Sequence, residues 1–132
     1  MNKPVGYSTK TVAQKLGYQA GDRVYTRNAP RWFATYLLRE GIDVVDAPPA
    51  AWAHIFATSY SACERELRDL KLDDITKALW VSWPKKTSGQ ATDLTENRIR
   101  DLVLNLGWVD IKVCAIDETW SGLKFTRRRP LE

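Results

Sequence analysis

Runs of β-forming residues alternate along this chain with segments of helical periodicity, and that order restricts the available folds more than any other feature. Ser8 or Thr9 can cap a first helix carrying Val12, Ala13 and Leu16, which stops near Gly17. Arg23–Thr26 then reads as a strand, and Asn28-Ala29-Pro30 leads into a second helix over Trp32–Arg39, with Pro30 suited to its first turn. Spacing puts Trp32, Tyr36 and Leu37 on one side of that helix, and Gly41 closes it before a strand at Ile42–Val45.

The breaker Ala47-Pro48-Pro49-Ala50 precedes a nearly continuous apolar strand, Trp52–Thr58, which contains the only histidine, His54. Helical spacing from Ser61 takes in Leu67, Leu70, Ile75 and Leu79, with Asp73-Asp74 opening a short turn. Leu79–Trp83 is a fourth strand ended by Pro84. A helix with Leu94, Ile99, Leu102, Val103 and Leu106 on its apolar face follows, with Asp93 as cap and Glu96 completing a capping box. After Gly107, Val109–Ile116 and Leu123–Arg127 alternate apolar and polar residues and should form an antiparallel return.

Strands alternating with helices imply a mostly parallel sheet covered by helices on both faces, with the last strand as the antiparallel exception. At 132 residues, with 44% hydrophobic and 27% charged residues, the chain has the size and composition for one core, so residues 1–132 are expected to form one three-layer α/β domain. No apolar run approaches the roughly 20 residues that cross a bilayer, and the N-terminus lacks a signal-peptide core, so a cytoplasmic location is expected. Cys63 and Cys114 lack metal-ligand spacing and read as reduced core thiols, with Cys63 reactive only if it is exposed at its helix start; a zinc site is not expected. The net charge of +4 falls to about +1 without Arg127-Arg128-Arg129, and no other dense basic stripe is visible in linear order. Nucleic acid is therefore not the expected partner, and a weak site at Arg127, Arg128 and Arg129 is the third-ranked possibility.

In a sheet of this kind ligands bind outside the carboxyl ends of the parallel strands, where the strand order reverses. The loops expected there contain Asn28, Thr58-Ser59, Lys85-Lys86-Thr87-Ser88-Gly89 and Asp117–Gly122. The leading reading is a small binding domain for an anionic ligand or a partner segment. Lys85 and Lys86 would neutralise the anion, Asn28 and Ser121 would hydrogen-bond it, Trp120 would form an apolar wall, and Asp117 and Glu118 would orient the lysines or discriminate against excess negative charge. The lysines follow no P-loop pattern, which needs its glycines before the lysine. The rival reading is a group transferase with Asp117 or Glu118 as general base. Turn stabilisation is the simpler role for those two carboxylates, and packing the simpler role for Trp120 and His54. Six tryptophans are many for so small a core, which makes Trp32, Trp52 and Trp108 candidates for an aromatic binding surface, with helix–sheet packing as the alternative.

The element order resembles a shortened methyltransferase-type Rossmann domain, including its terminal return strand. The first strand is followed by Arg27-Asn28-Ala29-Pro30, however, where glycines would be needed for close backbone approach to adenosylmethionine or a dinucleotide, so that cofactor is not expected. The segments Leu79–Lys86, Thr92–Glu96 and Val109–Lys124 resemble the bacterial domain-of-unknown-function family 3052. The likeness is looser at Gly6-Tyr7-Ser8, Lys15-Leu16-Gly17 and Asn28-Ala29-Pro30. That resemblance implies a small bacterial α/β protein and no particular reaction.

Overall fold

The computed structural model describes residues 10–128. The expected Ser8 or Thr9 cap lies outside those residues. Instead Thr11 caps α1 (Val12–Leu16) in a reciprocal capping box with Gln14, and Gly17 takes the left-handed conformation that ends it. β1 (Arg23–Arg27) leads through Pro30 to α2 (Arg31–Arg39) and β2 (Asp43–Val45). β3 (Ala50–Phe56), α3 (Tyr60–Asp69) and β4 (Ile75–Pro84) form the next unit, and α4 (Glu96–Leu104), β5 (Trp108–Ala115) and β6 (Trp120–Arg127) follow as the last elements among the described residues.

All six strands belong to one sheet of order β2-β1-β3-β4-β6-β5. The β1–β2, β1–β3 and β3–β4 ladders are parallel, whereas β6 runs antiparallel to both β4 and β5. The expectation of a mostly parallel sheet thus holds for β2-β1-β3-β4 and gives way beyond it, because the hairpin return inserts β6 between β4 and β5. α1 and α2 cover one face, where Leu16, Phe33 and Leu37 meet Trp52, Phe56 and Trp80. α3 and α4 cover the other, where Cys63, Leu67, Ile99 and Val103 meet Ile55, Leu79, Val81 and Phe125. The strand order reverses between β1 and β3, with α2 on one face and α3 on the opposite one.

Residues 46–49 join β2 to β3 without a helix, as the breaker Ala47-Pro48-Pro49-Ala50 implied, and Pro48 lines a groove with Tyr25 and Leu70. Three expectations are corrected. β4 starts at Ile75, four residues before the strand expected from sequence. The cap of α4 is Thr95, whose hydroxyl accepts the Arg98 N–H, while Asp93 instead accepts the backbone N–H of Tyr60 at 2.7 Å. On α2 the buried pair is Phe33 and Leu37, and Trp32 faces outward with 38% of its surface exposed. No helix among the described residues is long and apolar enough to cross a membrane.

A polar chain runs through the core on the α1–α2 side. Tyr18 Oη lies 2.8 Å from His54 Nδ1, and His54 Nε2 lies 2.7 Å from Ser82 Oγ. All three residues are buried, so each hydroxyl must satisfy one ring nitrogen, one accepting and the other donating. The ring is also stacked on Phe56, with centroids 4.4 Å apart. His54 is therefore a satisfied core residue, and burial pushes its imidazole pKa down to about 3.

The thiols separate by environment. Cys63 is buried on α3, and burial, reinforced by Glu66, pushes it up to about 12; burial also raises the half-buried Cys114. Because the thiolate is the reactive form, exposure of native protein to iodoacetamide at pH 8 is expected to label Cys114 slowly and leave Cys63 unmodified until the chain is unfolded. Peptide mapping checks this, and early labelling of Cys63 would contradict the packing of α3.

Candidate functional site

The loop after β1 begins with Asn28, whose φ of 60° puts a non-glycine residue in the left-handed region that asparagine tolerates. Its Nδ2 donates to Oε2 of Glu66, and Arg27 donates to the other oxygen through Nη2 at 2.8 Å and Nε at 3.1 Å. Glu66 sits on α3 with its side chain 10% exposed, so this three-residue lock ties the end of β1 to α3 across the strand-order reversal. The Asn28 amide, expected to reach a ligand, is turned toward α3 and occupied. Glu66 escaped the sequence reading, although its place between Cys63, Leu67 and Leu70 on the buried stripe of α3 marks it as a carboxylate in need of partners.

Loop geometry after β4 is set by its own hydrogen bonds. The Lys85 N–H donates to the Thr119 carbonyl at 2.8 Å, fastening this loop to the β5–β6 turn. Ser88 Oγ donates to the Lys85 carbonyl at 2.7 Å and accepts from the Gln90 N–H, closing a 3₁₀ turn at Lys86–Ser88. Lys85 is half-buried and Lys86 exposed, and among the described residues neither ammonium pairs with a carboxylate. Lys86 lines a groove with Trp83 and with Leu94, Thr95, Glu96 and Asn97 at the start of α4.

In the β5–β6 turn, Asp117 Oδ1 accepts the N–H groups of Thr119 at 2.9 Å and Trp120 at 2.7 Å, an Asx turn that fixes the chain reversal. Glu118 is exposed. Trp120 sets its edge on Phe56 at 5.1 Å on the α1–α2 side, and Ser121 lies opposite Trp83 in the β4–β6 ladder. The fold thus gathers Lys85, Lys86, Asp117, Glu118, Trp120 and Ser121 at one end of β4 and β6. Lys86 and Trp120 lie on opposite faces of the sheet there, and the Asn28 side chain is engaged elsewhere. Among the described residues no group of His, Cys, Asp and Glu is arranged to hold a metal ion. Arg127, offered as a nucleic-acid contact, donates through Nη2 to the carbonyls of Leu72, Asp73 and Ile75 and lies 5.1 Å over Trp108, so it staples β6 to the turn before β4.

This sheet order and its two-sided helical cover define an α/β fold of the Rossmann type. The chain is similar to a protein in the NADB-Rossmann superfamily from Streptococcus agalactiae, with 11% identity over 97% of this chain and 73% of that one and a TM-score of 0.60. It is also similar to LepI in its complex with SAM, with 10% identity over 88% of this chain and a TM-score of 0.50; it spans 39% of that longer chain. At these identities the likeness is one of fold. No family model matches the chain, and neither does any curated protein.

The residues at the β1 end do not fit an adenosylmethionine cradle. The loop there has no glycine, Ala29 packs against the core, and the amide and guanidinium that flank the reversal are tied to Glu66.

Proposed function

We propose that this protein is a binding domain rather than an enzyme, and that it holds a small anionic ligand at the carboxyl end of β4. The observation that carries the reading is the contrast in pairing at this end of the sheet. Lys85 and Lys86 are unpaired among the described residues, whereas Asp117, one of the two candidate general bases, is occupied as a structural brace in its Asx turn, and the other, Glu118, is exposed. A loop held by its own hydrogen bonds presents two ammonium groups with little backbone ordering left to be done at binding, while the lysine side chains still lose rotamer freedom, which favours modest, charge-driven affinity. The likeness of Leu79–Lys86, Thr92–Glu96 and Val109–Lys124, and more loosely of the N-terminal segments, to the family of unknown function 3052 supports kinship with small α/β proteins.

A thermal-shift panel of phosphate, carboxylates, nucleotides and adenosylmethionine tests the reading. At a ligand concentration about 100 times Kd the stabilisation is about 2.7 kcal/mol, a rise of about 10 degrees for a chain of this length. Lys85→Gln with Lys86→Gln is expected to abolish the shift, and Asp117→Asn to retain it. Silence of the wild-type protein across the panel would overturn the proposal, while a shift with adenosylmethionine that survives loss of both lysines would favour the transferase reading.

A further inference from the structure

The α1–α2 side of the molecule carries a basic and aromatic surface that linear order does not reveal. Lys15 on α1, Lys77 on β4, Lys112 on β5 and Lys124 on β6 are far apart in sequence. Lys112 lies opposite Lys124 in the β5–β6 ladder, and its Nζ donates to the Lys15 carbonyl at 3.0 Å. Lys77 and Lys124 both place their Nζ over the Trp52 ring, at 5.1 and 4.9 Å. These ammonium groups feel one another: the pKa of Lys124 is lowered by burial first, and then by Lys112 and Lys77.

The track continues onto α2. Tyr36 Oη accepts the Ala13 N–H at 2.8 Å, joining α2 to α1, and beside it Arg31, Trp32, Thr35 and Arg39 line an open groove. Trp32 is the one tryptophan of the six with more than a third of its surface exposed, and it is braced by Phe33 at 5.5 Å and Tyr36 at 6.4 Å. The opposite layer has the reverse charge. α3, α4 and their flanking turns (59–74 and 93–105) carry eight carboxylates against five basic residues, whereas residues 10–20 and 30–41 carry Lys10, Lys15, Arg31 and Arg39 against Glu40 alone.

We infer that this face binds single-stranded nucleic acid, its phosphates along the lysine track and the α2 arginines, with an unpaired base stacked on Trp32. A line of ammonium groups on one face suits a polyanion better than a small anion, and an aromatic ring in a cationic groove suits a base on that polyanion. A duplex, whose bases are already stacked, would leave Trp32 idle.

Fluorescence anisotropy with labelled RNA and DNA single strands of about twelve nucleotides tests this on the full chain at about 50 mM salt. Expected are tighter binding of single strands than of the matching duplex, quenching of tryptophan emission, and about tenfold weaker binding with loss of most quenching in Trp32→Ala. Arg31→Gln with Arg39→Gln should weaken binding and flatten the dependence of log K on log salt by about 1.4, roughly 0.7 per lost phosphate contact. Arg65→Gln with Arg68→Gln removes the same charge from α3 and should leave affinity within about twofold. No binding at low salt, equal losses from the two arginine pairs, or preference for duplex or for anionic phosphatidylserine vesicles would overturn the inference.

Discussion

Acidification from pH 7 to pH 4 is expected to remove about 3 kcal/mol of folding stability through His54 alone. The folded-state pKa of about 3 lies below the value near 6.5 that an unfolded histidine has, so as the pH falls the unfolded chain takes up the proton first. The contribution is complete above about pH 6.5 and disappears at up to about 1.4 kcal/mol per pH unit as the pH drops toward 3. Protonation inside the chain from Tyr18 to Ser82 would bury an unpaired charge among aromatic rings. Urea titrations at several pH values measure the slope. His54→Gln should be less stable at pH 7 yet lack that part of the acid dependence, and an identical slope in both proteins would show that His54 already titrates near 6.5 in the fold. Tyr18 acts at the other extreme: burial lifts its phenol well above 10, so its stabilising contribution is lost as the pH rises past 10.

Trp80→Ala is expected to cost about 3 to 5 kcal/mol, a large fraction of the stability of a domain this size. The side chain is fully buried in the middle of β4, its Nε1 donates to the Leu16 carbonyl at 3.0 Å, and the absence of a side chain at Gly122 makes room for the ring. A Cβ at Gly122 would stand 3.0 Å from Trp80 Cε3, so the two residues were fitted to each other. Trp80→Phe keeps most of the apolar contact but strands the Leu16 carbonyl, for a smaller loss of about 1 to 3 kcal/mol. Denaturant unfolding of the two variants separates volume from hydrogen bond. A loss below 1 kcal/mol for the alanine variant would be incompatible with the described packing.

Most of the architecture was readable because the apolar pattern changes period where the chain changes element. The antiparallel β5–β6 return, the helix stops near Gly17 and Gly41, and the buried β3 all follow from local residues, whereas α4 ends at Leu104 with Asn105 as its cap, short of Gly107, and leaves the exposed Leu106 outside its apolar face. The start of β4 was hidden because Ile75 and Leu79 are four apart, a spacing that suits one face of a strand and one face of a helix equally. Asp93 and Thr95 both offered a cap for α4, and the contact of Asp93 with Tyr60, 33 residues away, decided between them. The loops after β4 and β5, singled out by residue type, are joined through the Lys85–Thr119 hydrogen bond, while the Asn28 side chain is turned to α3. The lock among Arg27, Asn28 and Glu66, and the assembly of lysines from four separate elements, depend on tertiary neighbours that no local window contains.

Among the described residues β5 is the outermost strand, and Ile111 and Val113 on it are about half exposed (52% and 50%), so this border offers the sheet a way to grow. The register slips between Asp110 and Lys112, leaving Ile111 as an extra residue that kinks the strand, and Lys112 places a charge beside it. The other border, β2, is only three residues long. Both rims are thereby made poor templates for a neighbouring chain, and concentrated solutions should resist fibre formation for that reason. Deleting Ile111 would straighten the outer strand into a continuous ladder and turn a self-limiting sheet into one that recruits others.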